Sequence, residues 1–255
     1  MIRTFSLLVF VVGVMWPIAA PQSAHIVFMI GEDEYQTWDT LPEFAERDLK
    51  PLGYRVTIVK ADEADRNNFA GLVESLRTAD LLFVSVRRRT PRTEQLEAVR
   101  AHLAAGKPLA GIRTASHAFA LRPSDPPVTA GHSTWQTFDP EVLGGHYSNH
   151  HGAGPSTTVA IARGAESHAI LKGVSVRNLV SAGSLYKVSP LEKGTTPLLI
   201  GTIPGRPAEP VAWTNEYGPK RARIFYTSLG HPDDFKNAEF RRLLSNAIES
   251  LITNP

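Results

Sequence analysis

The chain has 255 residues, 42% hydrophobic and 20% charged, a balance that excludes a disordered or fibrous protein. Its 27 basic and 25 acidic side chains leave a net charge of +2, so the balance points neither to nucleic acid nor to a strongly charged partner. Cysteine is absent, which excludes disulfide scaffolds, thiolate metal sites and a cysteine nucleophile.

The chain opens with a positive Arg3, then an almost continuously apolar run from Phe5 to Trp16. Residues 17–24 are small and helix-breaking, with alanines at 19, 20 and 24. The apolar run is shorter than the ~20 residues of a membrane span. The pattern is that of a secretory signal peptide, cut after Ala20 or Ala24. A lipoprotein anchor is excluded by the missing cysteine. The expectation is a signal peptide over 1–24 and one α/β domain over 25–255. That domain would be exported to the periplasm or outside the cell, with no stable membrane span after cleavage.

From residue 25 strands and helices alternate. His25–Ile30 is a short apolar run that stops at Gly31, and Tyr54–Val59 is β-branched and follows Gly53. Asp80–Val86 and Pro108–Ile112 are two more such runs. None alternates cleanly, as expected of parallel strands covered on both faces. Between them, Asp39 or Thr40 is placed to cap a helix with Pro42 in its first turn and Glu43 completing a capping box. Gly53 would end it. Phe69, Leu72, Val73 and Leu76 keep helical spacing. Thr90-Pro91 starts a third helix carrying Leu96, Val99 and Leu103, closed by Gly106. The β-α-β-α-β-α-β pattern predicts a doubly wound, mostly parallel sheet.

The second half is less regular. Residues 122–156, rich in Pro, Gly and His, read as loops with one short helix. Thr157–Ala162, Val180–Val188, Leu198–Ile203, Pro210–Thr214 and Ala222–Leu229 read as additional strands. Phe240, Leu243, Leu244, Ala247, Ile248 and Leu251 line one face of a C-terminal helix.

Ligands of open α/β sheets bind beyond the carboxyl ends of the strands, at the switch point of strand order. The loops there are polar: Gly31-Glu-Asp-Glu-Tyr35, Arg87-Arg-Arg-Thr90 and Arg113-Thr-Ala-Ser-His117. With order 2-1-3-4 the first two loops are neighbours, and three acids face three arginines. Ion pairing accounts for most of these charges. Glu32 and Arg89 are the members most suited to hold a substrate rich in hydroxyls as well. His117, His146, His150, His151 and His231 all fall on the expected pocket side. A divalent metal needs about three side-chain ligands. His146, His150 and His151 are the weak candidates, and packing or substrate hydrogen bonding is the alternative for each. Nothing in the sequence requires a cofactor, although a divalent metal is possible. In Gly230-His-Pro-Asp-Asp234 the carboxylates are placed to orient His231 as an acid/base residue, or simply to cap the last helices. Trp213 and Tyr217 flank Glu216, a combination that suits a sugar ring or a core edge equally. The G-x-S-x-G elbow and Gly-rich phosphate loops are missing.

Taken together, Lys107-Pro-Leu-Ala-Gly-Ile-Arg113, Gly144-Gly-His-Tyr147, Pro210–Gly218 and Arg223-Ile-Phe-Tyr-Thr-Ser-Leu-Gly-His-Pro-Asp-Asp-Phe235 resemble a ThuA-like (trehalose-utilisation) domain. The resemblance runs from about His25 to Leu251. It implies a flavodoxin-like fold similar to class I glutamine amidotransferases. In those enzymes a cysteine follows Gly-Ile at a strand end and a His-Pro-Glu follows the last strand of the site. Here Arg113 takes the cysteine's place, and His231-Pro232 is followed by Asp233. A guanidinium is no nucleophile, so thiolate-driven glutamine hydrolysis is excluded. The resemblance implies carbohydrate metabolism, with a disaccharide or its 3-keto derivative as the small-molecule partner. In that chemistry His231 with Asp233 is the expected base and Arg113 the oxyanion partner. His117 or His146 is the second acid/base, and Tyr147 is a further sugar contact. Two alternatives stand beside the enzyme: a non-catalytic carbohydrate-binding module and a divalent-metal-dependent hydrolase.

Overall fold

The computed structural model describes residues 23–152 and 156–253. The expected signal peptide lies outside the described residues except for Ser23 and Ala24. Among the described residues no helix is long and apolar enough to cross a membrane.

The apolar runs become strands: β1 (His25–Gly31), β2 (Arg55–Lys60), β3 (Leu81–Val86) and β4 (Leu109–Ile112). Every residue of β1 and β3 is buried. Along β1, Ile26, Phe28 and Ile30 enter one core layer and Val27 and Met29 the other. Period-two alternation between two apolar layers is why the run reads as continuous. Four further strands are β5 (Asn149–His150), β6 (Thr157–Ile161), β7 (Val180–Ser181) and β8 (Tyr186–Lys187). The last three are β9 (Thr196–Thr202), β10 (Glu209–Tyr217) and β11 (Ala222–Thr227). Nine strands form one sheet in the order β2-β1-β3-β4-β11-β10-β9-β6-β7, and β5 pairs with β8 separately. The first five of that order are parallel, and from β11 outward each pairing is antiparallel. This is the flavodoxin-like sheet with the additional strands of the second half.

One face is covered by α1 (Thr37–Phe44) and the C-terminal α5 (Ala238–Thr253), whose six apolar positions named above are all buried. The other face is covered by α2 (Leu72–Thr78) and α3 (Thr93–Ala104), through Leu72, Leu76, Leu96, Val99 and Leu103. A short α4 (Pro232–Lys236) precedes α5. Burying one apolar face on each side of the sheet is what holds the layers together.

Three local expectations are corrected. Neither Asp39 nor Thr40 caps α1. The helix begins at Thr37, because the Glu32 carboxylate accepts hydrogen bonds from the Thr37 backbone N–H (2.8 Å) and hydroxyl and from the N–H groups of Glu34 and Tyr35 (2.7 Å each). An acid five residues upstream thus satisfies donors that a local cap would otherwise take. Pro42 consequently lies inside the helix. Helix α3 starts at Thr93 rather than at Thr90-Pro91, with Gln95 Oε1 accepting from the Arg92 N–H at 3.3 Å. The run Val180–Val188 is not one strand. It splits into β7 on the large sheet and β8 on the small one, because Gly183 and Ser184 between them cross over Arg113.

Candidate functional site

Residue 113 sits where β4 turns into a short helical turn over Arg113–His117, and its backbone is left-handed, φ 53. A non-glycine residue held there is strained, a common feature of functional turns. Tyr226 locks the turn by donating its hydroxyl to the Arg113 carbonyl at 2.6 Å. The guanidinium is 1% exposed and lies between two aromatic faces, 4.4 Å from the Tyr35 ring and 4.6 Å from the Tyr186 ring. Its Nη1 donates to the carbonyls of Ser184 (3.1 Å) and Ser228. Its Nη2 stands 3.4 Å from the Tyr35 hydroxyl and from Ser184 Oγ, and its Nε has no protein acceptor. A methyl group on Gly183 would lie 2.5 Å from Nη2, so only glycine lets that strand pass.

Beside this clamp stands His231, its ring edge-on to Tyr35 with centroids 6.5 Å apart. It begins α4, and its Nδ1 accepts the Asp233 N–H at 3.3 Å. The Asp233 carboxylate lies 3.5 Å from the same nitrogen and also binds Lys236 at 2.7 Å. Lys236 holds the Asp233 carboxyl below its ordinary value. The expected helix cap is present, but the His231 ring itself takes part in it, with Asp234 accepting the His231 N–H. The buried anchor is its neighbour Asp234, whose Oδ2 accepts from Ser181 Oγ (2.7 Å), Gly230 N–H (2.8 Å) and His231 N–H (3.0 Å). Burial raises the Asp234 carboxyl above its ordinary value, against those hydrogen bonds and the charge of Arg113.

On the far side of Tyr186, His117 stacks on Tyr147 with centroids 4.4 Å apart and 25° between planes. Its Nδ1 lies 3.1 Å from Ser116 Oγ. Burial, then the charges of Arg88, Arg87, Arg122 and Arg113, push its pKa well below the histidine range, so it is neutral at pH 7. Tyr147 is held from beneath by Asp139, whose Oδ2 accepts its N–H at 2.6 Å.

The β1 and β3 loops pair as expected. Asp33 binds Arg89 and Arg66, and Glu34 binds Arg87 at 2.6 Å. Arg89 also donates to the Gly31 carbonyl at 2.9 Å.

The structure thus brings Arg113, His231, Asp233, His117 and Tyr147 to one end of the sheet, with Glu32 and Arg89 in the adjoining loops. Glu32 is fully buried and spends both carboxylate oxygens on its own loop. His146 lies near Tyr147 but turns to Glu192 at 2.9 Å. The His150 Nδ1 contacts the His151 carbonyl at 2.9 Å. Among the described residues no three His, Asp or Glu side chains are grouped to hold a metal ion, so His146, His150 and His151 do not converge. Trp213 is fully buried and donates to the Leu143 carbonyl at 2.6 Å, which makes it core rather than a sugar platform. Glu216 pairs with Arg221 at 2.6 Å and lies at the opposite end of the sheet. It lines a large cavity there, about 690 Å³, with Lys107, Lys220 and Arg221. Being at the amino ends of the parallel strands, that cavity lacks the loops that build sites in this class of sheet.

Sequence reasoning missed Tyr186 and Asp139, did not single out Tyr35, and read Asp234 as an orienting or capping carboxylate beside His231, the second of which it is. Tyr186 was hidden in an apolar run, and only the Gly183-Ser184 interruption signals that the run is broken. Asp139 carries no local signal beyond being a carboxylate before Pro140.

These features define a doubly wound α/β protein with a polar, aromatic-walled site at the carboxyl ends of its parallel strands. The chain belongs to the ThuA family, described as trehalose utilisation, whose model it matches over residues 26–249. That membership connects it with carbohydrate metabolism. Two solved ThuA-like proteins share its fold. The protein from Bacteroides uniformis has a TM-score of 0.65 at 16% identity, covering 94% of this chain and 96% of that one. The protein from Parabacteroides merdae has a TM-score of 0.62 at 15% identity, covering 91% and 90%. The N-terminal domain of mmIFT52 is similar at a TM-score of 0.53 and 14% identity, covering 90% and 98%. At these identities the likeness shows the fold alone. No curated protein matches the chain.

Proposed function

We propose that this chain is an exported enzyme of carbohydrate metabolism that acts on a disaccharide or 3-keto-glycoside by acid/base chemistry, without amidotransferase activity. The observation that carries the reading is the buried Arg113 guanidinium clamped between Tyr35 and Tyr186, with His231 edge-on to Tyr35. At the elbow of a parallel strand the chain holds a fixed cation instead of a nucleophile. The cation presses toward the Tyr35 hydroxyl, which is left free to donate its own proton. A hydroxyl backed by a positive charge is suited to hold oxygen charge that develops on a keto-sugar. His231, partly exposed, is the group placed to move a proton beside it. The half-buried rings of Tyr35 and Tyr147 supply the apolar faces that sugar rings pack against, with the buried Tyr186 behind them.

A carbohydrate-binding module is the second reading, favoured by the Asp233 N–H on His231 Nδ1, which ties up one of the two imidazole nitrogens. Turnover separates the two. Purified protein is incubated with 3-keto-trehalose, other 3-keto-glycosides and their parent sugars, and products are followed by NMR. Conversion that falls at least ~100-fold in His231→Ala and in Arg113→Lys, with both variants folded, is expected of the enzyme. Saturable binding without conversion establishes the module instead.

A further inference from the structure

Next to the Tyr147–His117 stack, the loop after β3 and the loop over residues 121–129 wall a pocket of about 290 Å³. Its charged side chains are Arg87, Arg88, Arg89, Arg122 and Asp125. The acids nearby are already committed. Glu34 serves Arg87, Asp33 serves Arg89 and Arg66, and Asp125 Oδ2 accepts the backbone N–H of Arg122 at 2.7 Å. Among the described residues Arg88 and Arg122 form no ion pair.

Arg88 is the unusual member. Its backbone is left-handed, φ 48, a conformation that arginine rarely adopts. Its backbone N–H is tied to the His117 carbonyl at 3.0 Å, and that of Arg89 to the Ala118 carbonyl at 2.8 Å. The half-buried guanidinium donates through Nη1 to the Ala120 carbonyl at 3.0 Å. Its Nε and that of Arg87 are buried without a protein acceptor. Burial lowers its pKa, as do the charges of Arg122 and Arg87, against the charges of Tyr147 and Asp125. Partial burial of a cation with no ion-pair partner costs free energy, and guanidinium N–H groups recover it best from a planar or tetrahedral oxyanion.

We infer that the pocket walled by Arg87, Arg88 and Arg122 is an oxyanion subsite of the candidate site, and that the sugar served there carries a carboxylate or a phosphate ester. The inference rests on the carbohydrate reading above and adds the charge of the substrate. Tyr147 and His117 stand between the arginines and the Arg113 clamp. One sugar ring on the Tyr147 side can therefore place its anionic substituent toward Arg88 and Arg122.

The test is isothermal titration of the purified protein in low and high salt. The neutral probes are methyl glucoside and trehalose. Methyl glucuronide, glucose 6-phosphate and inorganic phosphate are the anionic ones. The expected result is that one of the two anionic sugars binds at least ~10-fold tighter than the neutral ones at low salt, the tighter one naming the group. The advantage should collapse at ~0.5 M salt, where charges are screened within a few ångströms. It should also vanish in Arg88→Gln/Arg122→Gln, with neutral-sugar affinity retained. Arg122→Gln alone, at an exposed side chain, gives a partial loss even if the double variant folds poorly. Arg206→Gln, exposed elsewhere, should change nothing. Equal affinity for charged and neutral sugars, or a preference that survives in both variants, overturns the inference and leaves the carbohydrate reading intact. Inorganic phosphate binding as tightly as the sugar phosphate, with no neutral sugar bound, overturns both.

Discussion

Asp139 provides the sharpest quantitative test of the site's electrostatics. It is 7% exposed, and burial raises its carboxyl from 3.8 to about 7, against the Tyr147 N–H and the charge of His146. Its Oδ2 accepts from Tyr147, while Oδ1 is buried without a partner near Gly145 and Trp213. Between pH 4 and 7 the native protein holds a proton here that the unfolded chain releases. Stability therefore falls as pH rises through that window, by a total of about 4 kcal/mol above pH 7. Asp139→Asn keeps the acceptor for Tyr147 but places an amide where Oδ1 lies, at a cost of about 1–2 kcal/mol. The variant should be less stable than wild type by about that amount at pH 3, below the unfolded carboxyl's pKa, with the two proteins about equal near pH 5. It should be more stable by about 2–3 kcal/mol at pH 8. Urea denaturation of both proteins at pH 3 and pH 8 reads the crossover. A stability difference that stays constant with pH would show that Asp139 is ionised throughout, and the reasoning from burial would be wrong.

His102 works in the opposite sense. Burial lowers its pKa to about 4, so the unfolded chain takes up a proton that the native protein refuses. Wild type should lose about 3 kcal/mol between pH 6.5 and 4 from this group, and His102→Gln should flatten that limb in acid denaturation. Gly183→Ala should drive the Arg113 guanidinium off the Ser184 and Ser228 carbonyls and cost about 2–4 kcal/mol in a chemical melt. Retention of full stability would mean that the clamp is not tight. Trp213→Phe should lower stability by about 1–3 kcal/mol through the orphaned Leu143 carbonyl, with sugar affinity unchanged in the same titrations.

The parallel half of the fold was legible because doubly buried strands are apolar throughout and the helices between them keep a 3.6-residue period. All six apolar positions of α5 follow from that patterning, whereas the order 2-1-3-4 was a supposition for this class of sheet, and the sheet has it. The candidate site was legible where its residues come from strand ends, as Arg113, His117 and His231 do, and in the Gly144-Gly-His-Tyr147 motif that carries the family resemblance. The clamp itself was not, since Tyr35 and Ser184 reach Arg113 across separations of 78 and 71 residues. Trp213 and Glu216 misled for a geometric reason. Within an extended strand three residues span about 10 Å, and an odd separation puts the side chains on opposite faces. Proximity in sequence was thus separation in space. Glu32 misled because a carboxylate at a strand end serves a loop's N–H groups as readily as a ligand's hydroxyls.

The arginines that define the proposed oxyanion subsite also add to the burial that keeps His117 neutral, and this couples ligand to proton. Burial is the largest cause of the lowered pKa of that imidazole, and Arg88, Arg87, Arg122 and Arg113 all add to it in the same direction. No carboxylate opposes them among the causes of its shift. An anion seated at Arg88 and Arg122 would cancel part of the field, so the pKa of His117 must rise when it binds. By linkage, the anion must in turn bind more tightly once His117 is protonated. The expected outcome is an upward displacement of the His117 ring-proton titration, followed by NMR, when methyl glucuronide or glucose 6-phosphate saturates the protein. Methyl glucoside should produce none. An equal displacement with the neutral sugar would place the effect in desolvation by the ring rather than in charge. No displacement with either anion would mean that the anion does not sit within reach of His117. In the unliganded protein a neutral imidazole stacked on Tyr147 is a hydrogen-bonding group and not an acid. Only a substrate that brings its own negative charge would turn it into one.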